Sequence, residues 1–286
     1  LVRAGGDVDD GRGAGREAET DEAGVHRLHV VHVEAEMAGA VVAGSRRGRE
    51  LFDPDVLEEF DEPAARDAEV DGPDVIEVET QDGAEVWSIE DPVEFLFSEK
   101  RSIITQREVG IDTNTFAEAM RAALREDPDV ILLGEMRDPE TIETAMTAAE
   151  TGHLVFSTVH SPGAAETISR IVTSFPPEAQ VGIRAKLAQN LRGVVSQRLL
   201  PRKNSQGRIV ACEVMTVSAL SREYILDPLK IKELGDLIRK GTMAEGMLSF
   251  DSSLLNLVKQ GHIDEETALF YATSPTDLKL KLEGFA

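Results

Sequence analysis

A short run, Val130-Ile131-Leu132-Leu133, limits the possible folds more than any other feature of the chain. It is apolar at every position and so has no polar face to turn to water. It is bounded by Asp127-Pro128-Asp129 before and Gly134-Glu135 after. Such a run suits a parallel strand covered by helices on its faces. Helical patterns flank it on both sides. Upstream, Phe116, Ala119, Met120, Ala123 and Leu124 form one stripe, opened by Thr115 with Glu118 in a capping box and stopped by Pro128. Downstream, Asp138-Pro139 opens a second helix as N-cap and first-turn proline. Ile142, Ala145, Met146 and Ala149 line it, and Gly152 ends it. His153 to Val159 then reads as another strand, closed by His160-Ser161-Pro162-Gly163. Strand, helix and strand in this order predict a right-handed crossover in a parallel sheet, an α/β fold.

The crossover also predicts chemistry, because open α/β sheets bind ligands beyond the carboxyl ends of their strands. Glu135 follows one strand end and His160 the next. Val86-Trp87-Ser88-Ile89 predicts a third strand end, followed by Glu90-Asp91-Pro92-Val93-Glu94. His153 sits at the amino end of its strand, away from that crevice. Taken singly, an Asp-Pro pair is an ordinary helix cap and a loop histidine an ordinary surface residue. Their convergence on one edge points instead to metal-assisted phosphoryl hydrolysis. One carboxylate holds Mg²⁺ directly or through its waters, another orients the attacking water, and His160 senses the transferring phosphate. Glu135 and Glu94 are the candidates, and which is the general base and which serves the metal stays open. Arg125 and Arg137 are candidates for charge compensation across a subunit boundary, against an ordinary surface ion pair for either.

Ser88-Ile-Glu-Asp-Pro-Val-Glu94, Asp129-Val-Ile-Leu-Leu-Gly-Glu-Met-Arg-Asp138 and Thr151-Gly-His-Leu-Val-Phe-Ser-Thr-Val-His160 resemble three motifs of the secretion ATPase superfamily: the acidic box, Walker B and the histidine box. Ile104 to Gly110, Arg170-Ile171 leading into Phe175-Pro-Pro-Glu178, and Leu191 to Pro201 are similar in order and spacing to the PilT-type retraction motors of type IV pili. The resemblance runs from about Ser88 to the end and weakens after Val217. It implies a RecA-like P-loop NTPase core over residues 87–216 and a C-terminal helical region over 217–286. It implies ATP and Mg²⁺ as cofactors, with Glu90 and Asp91 shaping the acidic box and His153 serving packing or a subunit contact. As partners it implies a homohexamer and an inner-membrane pilus platform protein, with the motor peripheral to the inner face of the cell membrane. Pilus-assembly and type II secretion relatives carry a four-cysteine zinc insertion after the histidine box. Here Pro201 to Arg208 passes straight into the strand Ile209 to Met215, and Cys212 stands alone, which favours retraction. Ala219 to Leu226 fits the retraction-associated motif poorly and otherwise reads as an amphipathic helix.

Composition separates the chain near Val86. Residues 1–86 hold 24 acidic and 8 basic side chains and no Lys, Asn, Tyr or Cys, and Ile76 is their only isoleucine. Low hydrophobicity and high charge suit a disordered extension. The loss of residue types with A/T-rich codons suits a G/C-rich gene read off-frame, and it favours that second reading. Leu28 to Val33 is the one strand-like run there, and Asp53 to Phe60 suits a short helix. No Gly-Lys dipeptide occurs in the 286 residues, so the phosphate loop G-x-x-x-x-G-K-[ST] of the superfamily is not found, and Arg12 to Arg16 cannot replace it. The chain is therefore expected neither to bind ATP tightly nor to hydrolyse it, with a sheet that exposes an unpaired edge near Val86. Alternatives to an active retraction motor are a non-hydrolysing interaction subunit or truncated gene product, and a secretion or pilus-assembly ATPase.

The net charge of −23 argues against nucleic acid as the main partner. The single cysteine excludes a disulfide framework or multi-thiolate metal site. No run has the length of a transmembrane segment, and Leu1 to Asp10 lack the order of a signal peptide. A soluble, cytoplasmic protein is the expectation.

Overall fold

The computed structural model describes residues 3–4, 39–43 and 76–77 and, from 84 to 284, every residue except 98, 100, 101, 204–206 and 243–244. Strands β1 (Arg3–Ala4) and β3 (Ile76–Glu77) pair antiparallel with each other. The strand-like run at 28–33, the helix at 53–60 and the expected irregular character of most of residues 1–86 lie outside the described residues.

The main sheet contains β2 (Gly39–Ala43), β4 (Glu85–Glu90), β5 (Ile103–Glu108), β6 (Val130–Leu133), β7 (Leu154–Val159), β8 (Leu191–Pro201) and β9 (Arg208–Thr216). Their order is β5-β4-β6-β7-β2-β8-β9. The pairs β5/β4, β4/β6 and β6/β7 are parallel, as the apolar run predicts. β8 and β9 form an antiparallel hairpin. β2 is antiparallel to both β7 and β8, so β7 and β8 run the same way with a reversed strand between them.

The expected unpaired edge near Val86 is not found. β4 is hydrogen-bonded on one side to β5, Glu85 opposite Ile103, and on the other to β6, Val86 opposite Val130. The outer strand is β5, whose segment Ile-Ile-Thr-Gln-Arg-Glu satisfies the backbone of β4.

Helix α1 (Phe116–Glu126) leads into β6, and α2 (Pro139–Glu150) crosses from β6 to β7. The sequence explains their bounds. Thr115 accepts the backbone N–H of Glu118 at 3.1 Å, and Asp127 closes α1 with φ 56°. The capping box is only half formed, because the Glu118 carboxylate accepts from Asn114 Nδ2 at 2.8 Å instead. Asp138 caps α2 through Thr141 N at 2.9 Å and Thr141 Oγ1 at 2.6 Å. Burial alone pushes its carboxyl up, yet those hydrogen bonds outweigh it and hold Asp138 below the usual carboxylate range.

Ala119, Met120, Ala145 and Ala149 of these helices pack on Ile89, Ile131, Leu133 and Val155 of the sheet. The opposite face of the same strands carries a thinner apolar layer, Val86, Val130 and Leu154, rather than a matching helix pair. Further along, α3 (Ala164–Thr173), α4 (Pro177–Asn190), α5 (Ala219–Leu226) and α6 (Glu233–Lys240) share one cluster with Val159 and Val194. α7 (Phe250–Lys259), α8 (Glu265–Tyr271) and α9 (Pro275–Leu282) bury Phe250, Leu254, Ile263 and Leu278 against Leu200 and Ala211 of the β8–β9 hairpin. No helix among the described residues is long and apolar enough to cross a membrane.

Candidate functional site

Parallel pairing aligns the carboxyl ends of three strands, with Ile89 opposite Leu133 and Leu133 opposite Ser157. The chain leaving β6 is stitched to both neighbours. Gly134 N donates to Ile89 O at 2.8 Å, Met136 N to Thr158 O at 3.1 Å, and Thr158 Oγ1 to Gly134 O at 2.6 Å. Glu135 is thereby held on a fixed backbone between β4 and β7. A Cβ on Gly134 would meet Ile89 O at 3.2 Å and the Glu90 Cα at 3.4 Å, so any larger residue here crowds the β4 backbone.

The Glu135 side chain is 12% exposed and uses its two oxygens differently. Oε1 is paired with Arg137 Nε. Oε2 makes no hydrogen bond and faces His160 Nε2 at 3.5 Å. The hydrogen bond and charge of Glu135 raise the Arg137 pKa above its already high ordinary value, and Asp91 adds to this. The His160 side chain is about half exposed, at 51%, and its backbone carbonyl accepts from Arg170 NH1 at 2.6 Å.

The acidic box is partly structural. Glu90 Oε1 accepts from Ser88 Oγ and, at 3.1 Å, from Gln106 Nε2. Gln106 also holds the loop through Phe95 O and Phe97 N. Asp91 and Glu94 are exposed beyond the end of β4. Buried His153 lies at the amino end of β7, with Nδ1 3.1 Å from Ala148 O and from Thr151 Oγ1 and Nε2 3.9 Å from Asp127. Arg125 is exposed in the last turn of α1, on the side that leads into the amino end of β6. The structure thus brings Glu135, Arg137 and His160 into contact, puts Asp91 within electrostatic reach of Arg137, and leaves Arg125 and His153 at the other edge.

No group of three His, Cys, Asp or Glu side chains among the described residues converges as a metal cage. A partly buried carboxylate oxygen without a hydrogen bond, as in Glu135, instead fits Mg²⁺ held through water, since that ion keeps several waters and needs few carboxylates. The sequence motifs did not reveal Arg170 as a support of His160. Ten residues of separation leave no local pattern, although a basic residue in the last turn of a helix that starts beside the histidine was the available signal.

The model of the family described as Type II/IV secretion system protein matches residues 74–243. The chain is 47% identical over 185 residues to a twitching motility protein of Neisseria gonorrhoeae, covering 65% of this chain and 49% of that protein. It is 45% identical over 190 residues to the type IV pilus retraction ATPase PilT of Pseudomonas aeruginosa, covering 66% and 54%. The crystal structure of the pilus retraction motor PilT with bound ADP superposes with a TM-score of 0.61 at 46% identity, covering 69% of this chain and 55% of that one. The chain spans about half the length of the relatives it matches.

Proposed function

The chain belongs to the Type II/IV secretion system protein family, and from that premise we propose that it carries the hydrolytic half of an ATPase motor powering type IV pilus retraction and twitching motility. The observation behind this reading is Glu135 at the strand edge, with one oxygen fixed by Arg137 and the other facing His160. Glu135 orients a water and accepts its proton as the water oxygen bonds to the γ-phosphorus and the bond to the β-phosphate oxygen breaks. His160 hydrogen-bonds a γ-phosphate oxygen, and Arg137 holds Glu135 in place. Glu94, exposed beyond β4, and Glu135 would hold waters of Mg²⁺, which when bound neutralises phosphate charge. The names of the relatives support retraction over assembly or type II secretion. Cys212 does too, as a lone thiol that burial pushes up to about 12, unsuited to bind zinc. By the same family reasoning the working state is a homohexamer at the inner face of the membrane, against a pilus platform protein. With a phosphate loop restored ahead of β4, the chain should release phosphate from MgATP. ATP binding without any turnover would overturn the assignment.

The lack of a Gly-Lys dipeptide favours a second reading for this chain alone, a non-hydrolysing subunit that keeps the partner surface. Isothermal titration with MgATP should then give no micromolar binding, and micromolar affinity would remove that reading.

A further inference from the structure

Away from Glu135, a cation lies within electrostatic reach of several carboxylates where the β8–β9 hairpin joins the His160 loop to the last helices. Arg198 on β8 donates from NH1 to Tyr271 O at 2.8 Å and reaches Pro162 O from NH2 at 3.5 Å. Its guanidinium carbon lies 3.7 Å over the ring of Phe250, which anchors the α7–α9 cluster. Glu213 on β9 accepts the N–H of Ala164, the first residue of α3, at 2.9 Å. Asp251, buried at the start of α7, accepts from Thr273 N at 2.7 Å and Ser274 N at 2.9 Å. Burial lowers the Arg198 pKa, and the charges of Glu213, Asp251 and Glu166 oppose that. A Cβ on Gly163 would meet Glu166 Oε2 at 2.8 Å and Glu213 Oε1 at 3.1 Å, so the two carboxylates occupy the space beside this glycine.

The loop from His160 to Ala164 is therefore gripped at three backbone points: by Arg170 at 160, Arg198 at 162 and Glu213 at 164. The Arg198 grip extends to the α7–α9 unit through Tyr271 O and the Phe250 ring, and Glu213 lies within electrostatic reach of Arg198. We propose that Arg198 is a positioning residue that couples the docking of α7–α9 to the placement of His160 against Glu135. A single guanidinium makes this possible because its planar fork serves two carbonyls while its face stacks on an aromatic ring. Removing it leaves partly buried Glu213 without its cation and frees Pro162. The functional meaning rests on the reading that His160 works with Glu135, but the coupling itself can be measured without turnover.

Hydrogen exchange on the full chain tests it. Arg198→Met keeps an apolar stem over Phe250 and should raise exchange of the Ala164 amide by about tenfold, as loss of a charge-assisted contact implies. The β4 and β6 amides should stay unchanged. Asp251→Ala, whose own bonds lie at Thr273 and Ser274, should also raise exchange at Ala164, and it should add nothing in the Arg198→Met background. The His160 imidazole resonances should move in Arg198→Met and stay fixed in the surface control Lys259→Ala. If Arg198→Met does not fold, Arg198→Lys decides, because it keeps the charge without the fork and should give a smaller change at the same amide. Unchanged Ala164 exchange in the folded Arg198 variant, or fully additive effects of the two substitutions, would overturn the coupling. Intact coupling alongside full turnover of a His160 variant would instead overturn only the catalytic reading.

Discussion

Gly134→Ala is the smallest change that tests how Glu135 is mounted. Gly134 lies outside the left-handed region, so its backbone accepts alanine and only space opposes the methyl group. The methyl carbon would sit 3.2 Å from Ile89 O and 3.4 Å from the Glu90 Cα. Both are backbone atoms of β4, which is hydrogen-bonded to β5 and β6 and cannot retreat alone. Overpacking of this kind costs about 1–3 kcal/mol. Alanine recovers about 0.4–1 kcal/mol by restricting the unfolded chain. The net expectation is a loss of about 1–2 kcal/mol. Urea unfolding followed through Trp87, the single tryptophan and itself on β4, reads the perturbed strand directly. At a slope of about 1–3 kcal/mol/M the midpoint should fall by about 0.3–2 M with the slope unchanged. Gly182→Ala is the control: nothing lies within 4 Å of its Cβ on α4, so the same substitution should stabilise by about 0.4–1 kcal/mol. A Gly134→Ala midpoint equal to or above the parent would refute the close approach of β6 to β4.

Asp138→Ala should cost about 1 kcal/mol at neutral pH through loss of the α2 cap. The Asp138 carboxyl is depressed when folded, so its contribution is lost as pH falls through that depressed value, and thermal melts of variant and parent should converge in acid. Glu213 behaves oppositely: burial pushes its carboxyl up, against the Ala164 N–H and Arg198. The folded state then holds the proton more tightly, so the parent should lose stability as pH rises from the ordinary carboxylate range through the raised value. Glu213→Gln should lack that loss, and a pH-independent difference in melting temperature would contradict the assignment. Ile131→Ala, at a fully buried site between α1 and α2, should cost about 2–5 kcal/mol in denaturant titration.

Periodicity carried the centre of the fold into view. The run at 130–133 is a buried parallel strand, and Ile142, Ala145, Met146 and Ala149 are all buried on α2. The strand ends that follow from this pattern bring Glu135 and His160 within 3.5 Å. What stayed hidden depends on contacts remote in sequence. Gly39–Ala43 enters the sheet beside β7 and β8, more than 100 residues away, and no local alternation announces that pairing or its direction. Glu118 leaves its capping box for Asn114 because two geometries compete within one turn. Arg198 reaches Pro162 and Tyr271 across 36 and 73 residues, so neither spacing nor charge pattern marks it.

Glu135 is the proposed hydrolytic carboxylate on which the motor chemistry depends. Its most direct test is MgATP turnover by Glu135→Gln in a chain with the phosphate loop restored, with nucleotide affinity measured on the same preparation. Glutamine keeps the shape and a hydrogen-bond acceptor but cannot take the proton of water. Turnover should fall by about a hundredfold or more while ATP affinity stays nearly unchanged. Undiminished hydrolysis by Glu135→Gln would contradict the account.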